Sequence, residues 1–127
     1  NFTFHPDHSF MPKGGKITEN GEKINVLKLD DISINDDRKV MGIKIDTEGE
    51  DYKVLLGSEN IIKTFKPHII IEVRETNKID VFKFLSRFNY KFYIILDKII
   101  PVDLLNLKID IIANIYASVK PIIIQDN

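Results

Sequence analysis

The feature that most constrains this chain is the alternation, from residue 40 onward, of short apolar runs with segments of helical periodicity. Val40–Asp46 and His68–Val73 are apolar runs of the length and bounds typical of buried strands. Between them, Glu50–Phe65 spaces its apolar residues as an amphipathic helix does, and Lys66-Pro67 ends that pattern. Strands separated by helices predict an α/β fold with a parallel sheet and right-handed crossovers.

The same alternation continues toward the end of the chain. We predict four further segments: a helix starting at Asn77 or Asp80, a strand over Phe92–Leu96, a connector over 98–108, and a strand over Ile109–Ser118. Because His68–Val73 is almost continuously apolar, we expect both of its faces to be covered. Gly57, inside the first predicted helix, indicates a kink or a close packing contact.

The first 39 residues lack this alternation. We predict two parts, an N-terminal loop and hairpin segment over residues 1–39 and an α/β domain over residues 40–127. Asn20-Gly21 is a strong tight-turn signal, and it predicts a hairpin between Lys16–Thr18 and Lys23–Leu27. A short helical turn is expected to follow that hairpin.

Composition excludes several classes of function. The hydrophobic content of 43% and charged content of 29% are ordinary for a globular domain, and the net charge of -1 opposes a dedicated nucleic-acid surface. The absence of cysteine excludes disulfides and thiolate metal sites. No apolar run is long enough to cross a membrane, and no signal-peptide pattern is visible. We therefore expect a cytoplasmic protein with neither nucleic-acid nor membrane partners.

Carboxylates follow the first two predicted strands of the α/β domain. Asp46 and Glu48 end the first strand, and Glu72 lies toward the end of the second. Because parallel strands end at one edge of a sheet, we expect these three side chains to meet there. Clustered carboxylates raise one another's pKa and act as a general base, or they bind a hard cation. Gly49 is expected to permit close approach of backbone or ligand.

Other acidic residues and the histidines have simpler interpretations. Glu50 and Asp51 are interpreted as charges that favour a helix N-terminus. A calcium loop starting at Asp46 is excluded, because its twelfth position, which requires a bidentate glutamate, is Gly57. His68 begins its strand and should lie at the opposite end of the sheet from the carboxylates. We predict no metal ligand set.

Five segments, taken in order, resemble the FkbM family of S-adenosylmethionine-dependent methyltransferases. The resemblance covers roughly residues 25–96, and the segments that carry it are Leu27–Asp31, Ile43–Gly49, Val54–Gly57, Lys66–Glu72 and Phe88–Tyr90. It implies a class I methyltransferase-like, Rossmann-like sheet that is mostly parallel with an antiparallel last strand. It further implies methyl transfer from S-adenosylmethionine to a hydroxyl of a sugar or another small acceptor.

The resemblance also implies roles for individual residues. Asp46 and Thr47 would bind the cofactor by facing its methionine end. Glu48 and Glu72 would be the catalytic candidates near the acceptor.

The chain departs from the family pattern upstream of Val40, where nothing resembles the glycine-rich cofactor turn or the acidic residue that grips the ribose. The chain is therefore expected to be the C-terminal half of the domain, with the N-terminal strands missing and with no activity alone. The strand at Val40 would expose an edge that invites self-association. Two alternatives stay open: a non-catalytic, partner-binding α/β module, and a carboxylate-based hydrolase or metal site.

Overall fold

A computed structural model of the protein describes residues 3–6, 15–18, 20–32 and 38–122. The strands are β1 Thr3–Pro6, β2 Gly15–Thr18, β3 Glu22–Lys23, β4 Gly42–Ile45, β5 His68–Val73, β6 Lys91–Ile95, β7 Ile99–Pro101 and β8 Ala113–Ser118. The helices are α1 Asp51–Leu56, α2 Glu59–Phe65 and α3 Lys78–Ser86, with a 3₁₀ turn at Leu29–Asp31. Within these ranges, no helix has the length and apolarity needed to span a membrane.

The main sheet has five strands in the order β4-β5-β8-β6-β7. Strand β4 is parallel to β5, whereas β8 is antiparallel to both of its neighbours, β5 and β6. Strands β4, β5 and β6 therefore run in one direction, and β8 runs against them. The predicted α/β class and the antiparallel last strand are confirmed.

One face of this sheet carries the core. Ile69, Ile71 and Val73 of β5 are fully buried, and they form one cluster with buried residues of all three helices, among them Leu55, Ile62, Val81, Phe84 and Leu85. The alternate residues of β5 face the other side, where Ile70 is 36% exposed. The expectation that both faces of β5 are covered is wrong for the described residues, because the three helices all pack on the same face.

The predicted helix over Glu50–Phe65 is two helices. Gly57 and Ser58 separate α1 from α2, and a Cβ at Gly57 would lie 3.4 Å from the Cβ of Lys28. The close packing contact predicted for Gly57 is confirmed. Ser58 is fully buried and donates its hydroxyl proton to the carbonyl oxygen of Val54 at 2.7 Å.

The predicted N-terminal hairpin is wrong. Strand β1 lies between β2 and β3 in a small antiparallel sheet, so β2 pairs with β1 and not with β3. Strand β1 forms backbone hydrogen bonds with both β2 and β3. The local turn signal at Asn20-Gly21 does not reveal this central strand. Strand β1 also lies in a part of the segment over residues 1–39 for which no strand is predicted.

The segment over 98–108 is more than a connector, because β7 pairs with β6 as an edge strand. Pro101 ends β7 and pairs with Tyr93. A proline fits there because one side of an edge strand needs no N–H donor. Strand β7 is too short for an alternating apolar pattern to be recognised in the sequence, and its proline disfavours a strand prediction.

The helix α2 begins on a cap from a distant part of the chain. Asp30 in the 3₁₀ turn accepts the backbone N–H of Asn60 at 2.9 Å and of Ile61 at 3.0 Å, one on each carboxylate oxygen. Its own N–H donates to the carbonyl oxygen of Gly57 at 2.9 Å. These bonds join the 3₁₀ turn to the break between α1 and α2.

We expect Asp30→Ala to lower the free energy of unfolding by about 1–2 kcal/mol, because it removes both acceptors from the start of α2. Urea denaturation followed by circular dichroism measures this change. Asp31→Ala is the matched control, since Asp31 is an exposed neighbour in the same turn, and its effect should stay within about 0.5 kcal/mol. Equal losses in the two variants would contradict the capping role.

Candidate functional site

The parallel pairing of β4 with β5 builds an acidic edge. Ile45 pairs with Ile71. The next residues, Asp46 directly after β4 and Glu72 within β5, therefore lie side by side. Glu48 follows in the turn after β4, and its charge reaches Glu72. The sequence prediction that Asp46, Glu48 and Glu72 meet at one edge of the sheet is confirmed as a placement. We call these three residues, together with Asp51, the acidic rim.

The turn between β4 and α1 depends on left-handed backbone. Glu48 has φ 54° and Gly49 has φ 108°, so the chain reverses over two consecutive residues with positive φ. A Cβ at Gly49 would meet no atom within 4 Å. Gly49 is therefore required for its backbone conformation. The expected close approach of backbone at this residue is wrong for the described residues, and that of a ligand stays a prediction.

Asp51 reaches back from the first turn of α1 into the rim. One of its oxygens, Oδ1, accepts both the backbone N–H and the hydroxyl of Thr47, each at 3.0 Å. Asp51 is fully buried, and its Oδ2 has no hydrogen-bond partner among the described residues. The interpretation of Asp51 as a simple helix-start charge is therefore wrong, because a burial of this kind is costly without further compensation. Glu50, which is 35% exposed and paired with Lys53 at 2.7 Å, fits that interpretation.

Glu72 is half-buried and holds its proton more tightly than an ordinary glutamate. Burial raises the pKa of its carboxyl, as do the charges of Asp46 and Asp51, a hydrogen bond with the Asp46 side chain, and the charge of Glu48. Like charges on the neighbouring side chains disfavour the ionised form of Glu72. The rim therefore contains a carboxyl whose pKa is shifted toward neutrality.

Arg74 is the cationic side chain of this edge. It lies two residues after Glu72, and its Nη2 is 3.9 Å from the Glu48 carboxylate. Its Nε is buried and finds no hydrogen-bond partner within the described ranges. Sequence reasoning missed Arg74 and misinterpreted Asp51. Two signals were available in the sequence. Arg74 lies two residues after Glu72 and therefore on the same face of the strand, and Asp51 lies four residues after Thr47, within reach of its backbone N–H.

The other end of the sheet carries a different cluster. His68 pairs with Gly42 at the start of β4, and its Nδ1 is hydrogen bonded to the hydroxyl of Tyr116. The prediction that His68 lies opposite the carboxylates is confirmed. In the part of the chain that the structure describes, no three acidic or histidine side chains are arranged to hold a metal ion. A groove beside α3 and β6 contains none of the rim residues.

The comparison with protein families agrees with this geometry. A family model described as the methyltransferase FkbM domain matches residues 3–92, which is most of the chain. The chain belongs to the FkbM methyltransferase family. No curated protein and no solved structure matched it.

The match includes the whole acidic rim and Arg74, and it ends within β6. It also includes β1–β3, a region before residue 25 in which the sequence alone showed no family motif. The interpretation of this FkbM methyltransferase chain as the C-terminal half of the domain stays a prediction.

The raised pKa of Glu72 has a consequence for stability. The folded protein binds this proton more tightly than the unfolded chain does, so the stabilisation is complete below the unfolded pKa and is lost as pH rises through the raised folded pKa. We therefore expect Glu72→Gln, which resembles the protonated form, to be more stable than the wild type at pH 7. The difference should shrink near pH 4, as measured by urea denaturation at both values.

Glu48→Gln serves as the control for this prediction. Glu48 is 62% exposed and lies 3.9 Å from Arg74, so its neutralisation should change stability by less than about 1 kcal/mol at either pH. A Glu72→Gln variant that loses the same stability at both pH values would contradict the raised pKa of Glu72.

Proposed function

We propose that this protein is an S-adenosylmethionine-dependent O-methyltransferase that acts on a hydroxyl of a sugar or another small acceptor. The observation that carries the proposal is the convergence of four carboxylates at the carboxyl ends of β4 and β5, one of them with a raised pKa. Ligand sites of open α/β sheets lie at such strand ends. The proposal also rests on the family to which the chain belongs.

The carboxylates of the rim suit the cationic end of this cofactor. S-adenosylmethionine carries an ammonium and a sulfonium, and the rim offers more carboxylates than Arg74 neutralises. Asp51 Oδ2 is also a buried acceptor that lacks a donor among the described residues. Asp46 and Thr47 would hold the methionine end. When bound, the cofactor supplies an electrophilic methyl group.

Glu72 is suited to act as the general base of the transfer. Its ionised carboxylate would accept the proton of the acceptor hydroxyl while the hydroxyl oxygen attacks the methyl carbon. The raised pKa makes Glu72 a stronger base than an ordinary glutamate at neutral pH. Glu48, with Arg74 beside it, would orient the acceptor by hydrogen bonds.

The cofactor fit is partial. Gly15 is the first residue of strand β2 and not of a helix, so it does not belong to the glycine-rich turn of a strand–turn–helix unit that binds a phosphate or cofactor. For the 127-residue chain alone, we therefore expect no micromolar binding of S-adenosylmethionine by calorimetry and no turnover. Any contact with the rim should be weaker and electrostatic.

We expect S-adenosylmethionine at millimolar concentration to shift the backbone amide signals of residues 46–51 and 72–74 in NMR spectra. S-adenosylhomocysteine, which lacks the methyl group and the sulfonium charge, should shift them less. The difference should shrink with added salt and in Asp46→Asn, because both changes weaken attraction of a cation to the rim. Equal shifts from the two compounds, or shifts confined to the region of His68 and Tyr116, would contradict the proposal.

A second candidate is a partner-binding module that acts through a sheet edge. Strand β4 is an edge strand, and nothing among the described residues pairs with its outer side. The N–H of His68 donates to the carbonyl oxygen of Met41, so by parallel ladder geometry the backbone groups of Lys44 point outward. We propose that a second copy of the chain adds a strand at this edge. Charged Lys44 limits that association.

We expect sedimentation of the wild type to show concentration-dependent dimer formation. Lys44→Pro should abolish it, because proline removes the outward N–H and leaves the bonds to β5 intact. Lys44→Ala is the matched control: it keeps the N–H, removes the charge, and should associate at least as strongly as the wild type. A wild-type chain that stays monomeric at all concentrations would rule out this candidate.

A further inference from the structure

We propose that Asp51 is a positioning residue of the acidic rim: one of its carboxylate oxygens fixes Thr47, and the other, which is buried and has no partner among the described residues, keeps a negative charge that acts on Glu72. The inference deepens the proposed methyl transfer and rests on it for its functional meaning. The geometry on which it stands is independent of any ligand.

The first part of this role is mechanical. Thr47 lies between Asp46, at the end of β4, and the left-handed residues Glu48 and Gly49. Both of its hydrogen-bond donors are held by Asp51 Oδ1 at 3.0 Å. Since Asp51 is fully buried in the first turn of α1, the helix fixes the turn that presents Asp46 and Glu48.

The second part concerns the remaining oxygen of Asp51. Two other acids that support the fold, Asp30 and Glu75, have both oxygens bonded. Asp30 accepts one backbone N–H on each oxygen, and Glu75 binds Lys78 at 2.8 Å with one oxygen and the N–H of Ile109 at 3.1 Å with the other. Asp51 Oδ2 is buried and has no such partner within the described ranges. A structural acid would not need this arrangement.

The unbonded charge acts on Glu72 together with its other neighbours. Glu72 is faced by Asp46 and Glu48 from the turn after β4, and by Asp51 from α1. Arg74 lies on its own strand, and Asn114 is its paired residue on β8. Three acidic groups thus oppose one cation, and Asp51 is the buried one among them. A buried charge is screened less by water and salt than an exposed one, so its influence on Glu72 persists in solution.

For the proposed reaction, Asp51 would connect the two halves of the rim. It orients Thr47 on the cofactor side, and it strengthens Glu72 as a base on the acceptor side. Asp51 touches neither reacting group in this scheme, so its effect passes through the other two residues.

Asp51→Asn separates the two parts of this role. Asparagine keeps the Oδ1 acceptor for Thr47 and removes the charge, whereas Asp51→Ala removes both. We expect the amide of Thr47 to keep its protection from hydrogen exchange in Asp51→Asn. In Asp51→Ala its exchange rate should rise about tenfold or more. The titration midpoint of Glu72, followed by carboxyl carbon NMR, should fall toward the ordinary glutamate value in both variants.

Glu50→Gln is the matched control, because Glu50 is the neighbouring carboxylate at the same helix start but is 35% exposed and paired with Lys53. It should leave both the Thr47 exchange rate and the Glu72 midpoint unchanged. An unchanged Glu72 midpoint in Asp51→Asn would overturn the electrostatic part. Unchanged Thr47 exchange in Asp51→Ala would overturn the mechanical part.

Asp51→Asn keeps the test decisive if Asp51→Ala fails to fold, since the asparagine variant retains the bonds that fix the turn. Its Thr47 exchange must then stay protected while the Glu72 midpoint falls. Both measurements are made without cofactor or acceptor. Absence of the amide shifts expected with millimolar S-adenosylmethionine would therefore count against the proposed function and leave the role of Asp51 standing.

Discussion

The parallel register of β4 against β5 is the constraint on which the acidic rim depends. Ile45 opposite Ile71 fixes Asp46 beside Glu72, and the buried isoleucines fix that register because they must face the helices. A slip of one residue would turn Glu72 toward the helix-covered core and expose Ile71. Burying an unpaired carboxylate there would cost several kcal/mol, so the hydrophobic pattern of β5 also determines where its single acid can lie. Packing on one face of the strand therefore sets the chemistry at its end.

The electrostatics of the rim differ from those of the rest of the described chain. At two other places acids are matched with donors: Asp30 at the start of α2, and Glu75 beside Lys78. At the rim a buried acceptor on Asp51 and a buried donor on Arg74 both lack partners among the described residues. Unsatisfied groups of this kind lower stability, and a fold retains them where a ligand or a reaction uses them. Their concentration at one sheet edge, inside the region matched by the methyltransferase family, supports the proposed location of the active site.

The sequence predicted most accurately the elements whose signals are local. His68–Val73 matches β5 because a proline precedes its apolar run and a charged residue follows it. Gly57 marked the break between α1 and α2, since glycine is poorly suited to a helix interior. The predicted hairpin failed because its partner strand, β1, comes from an earlier part of the chain. Asp51 was misjudged for a related reason: a helix-start acid is common, and only the fold shows that this one is buried and bonded to Thr47.

The carboxylates that surround Glu72 tie ligand charge to its base strength in the proposed reaction. Repulsion among the rim carboxylates raises the proton affinity of Glu72. A positive charge brought to Asp46 would offset that repulsion and lower the proton affinity of Glu72. The ionised form of the Glu72 carboxylate would then be favoured when a cationic ligand is in place, at the stage when an acceptor hydroxyl needs a base. Asp51 helps to set the proton affinity of Glu72 before a ligand binds. Its side chain is buried and bonded to Thr47 whether or not the rim is occupied.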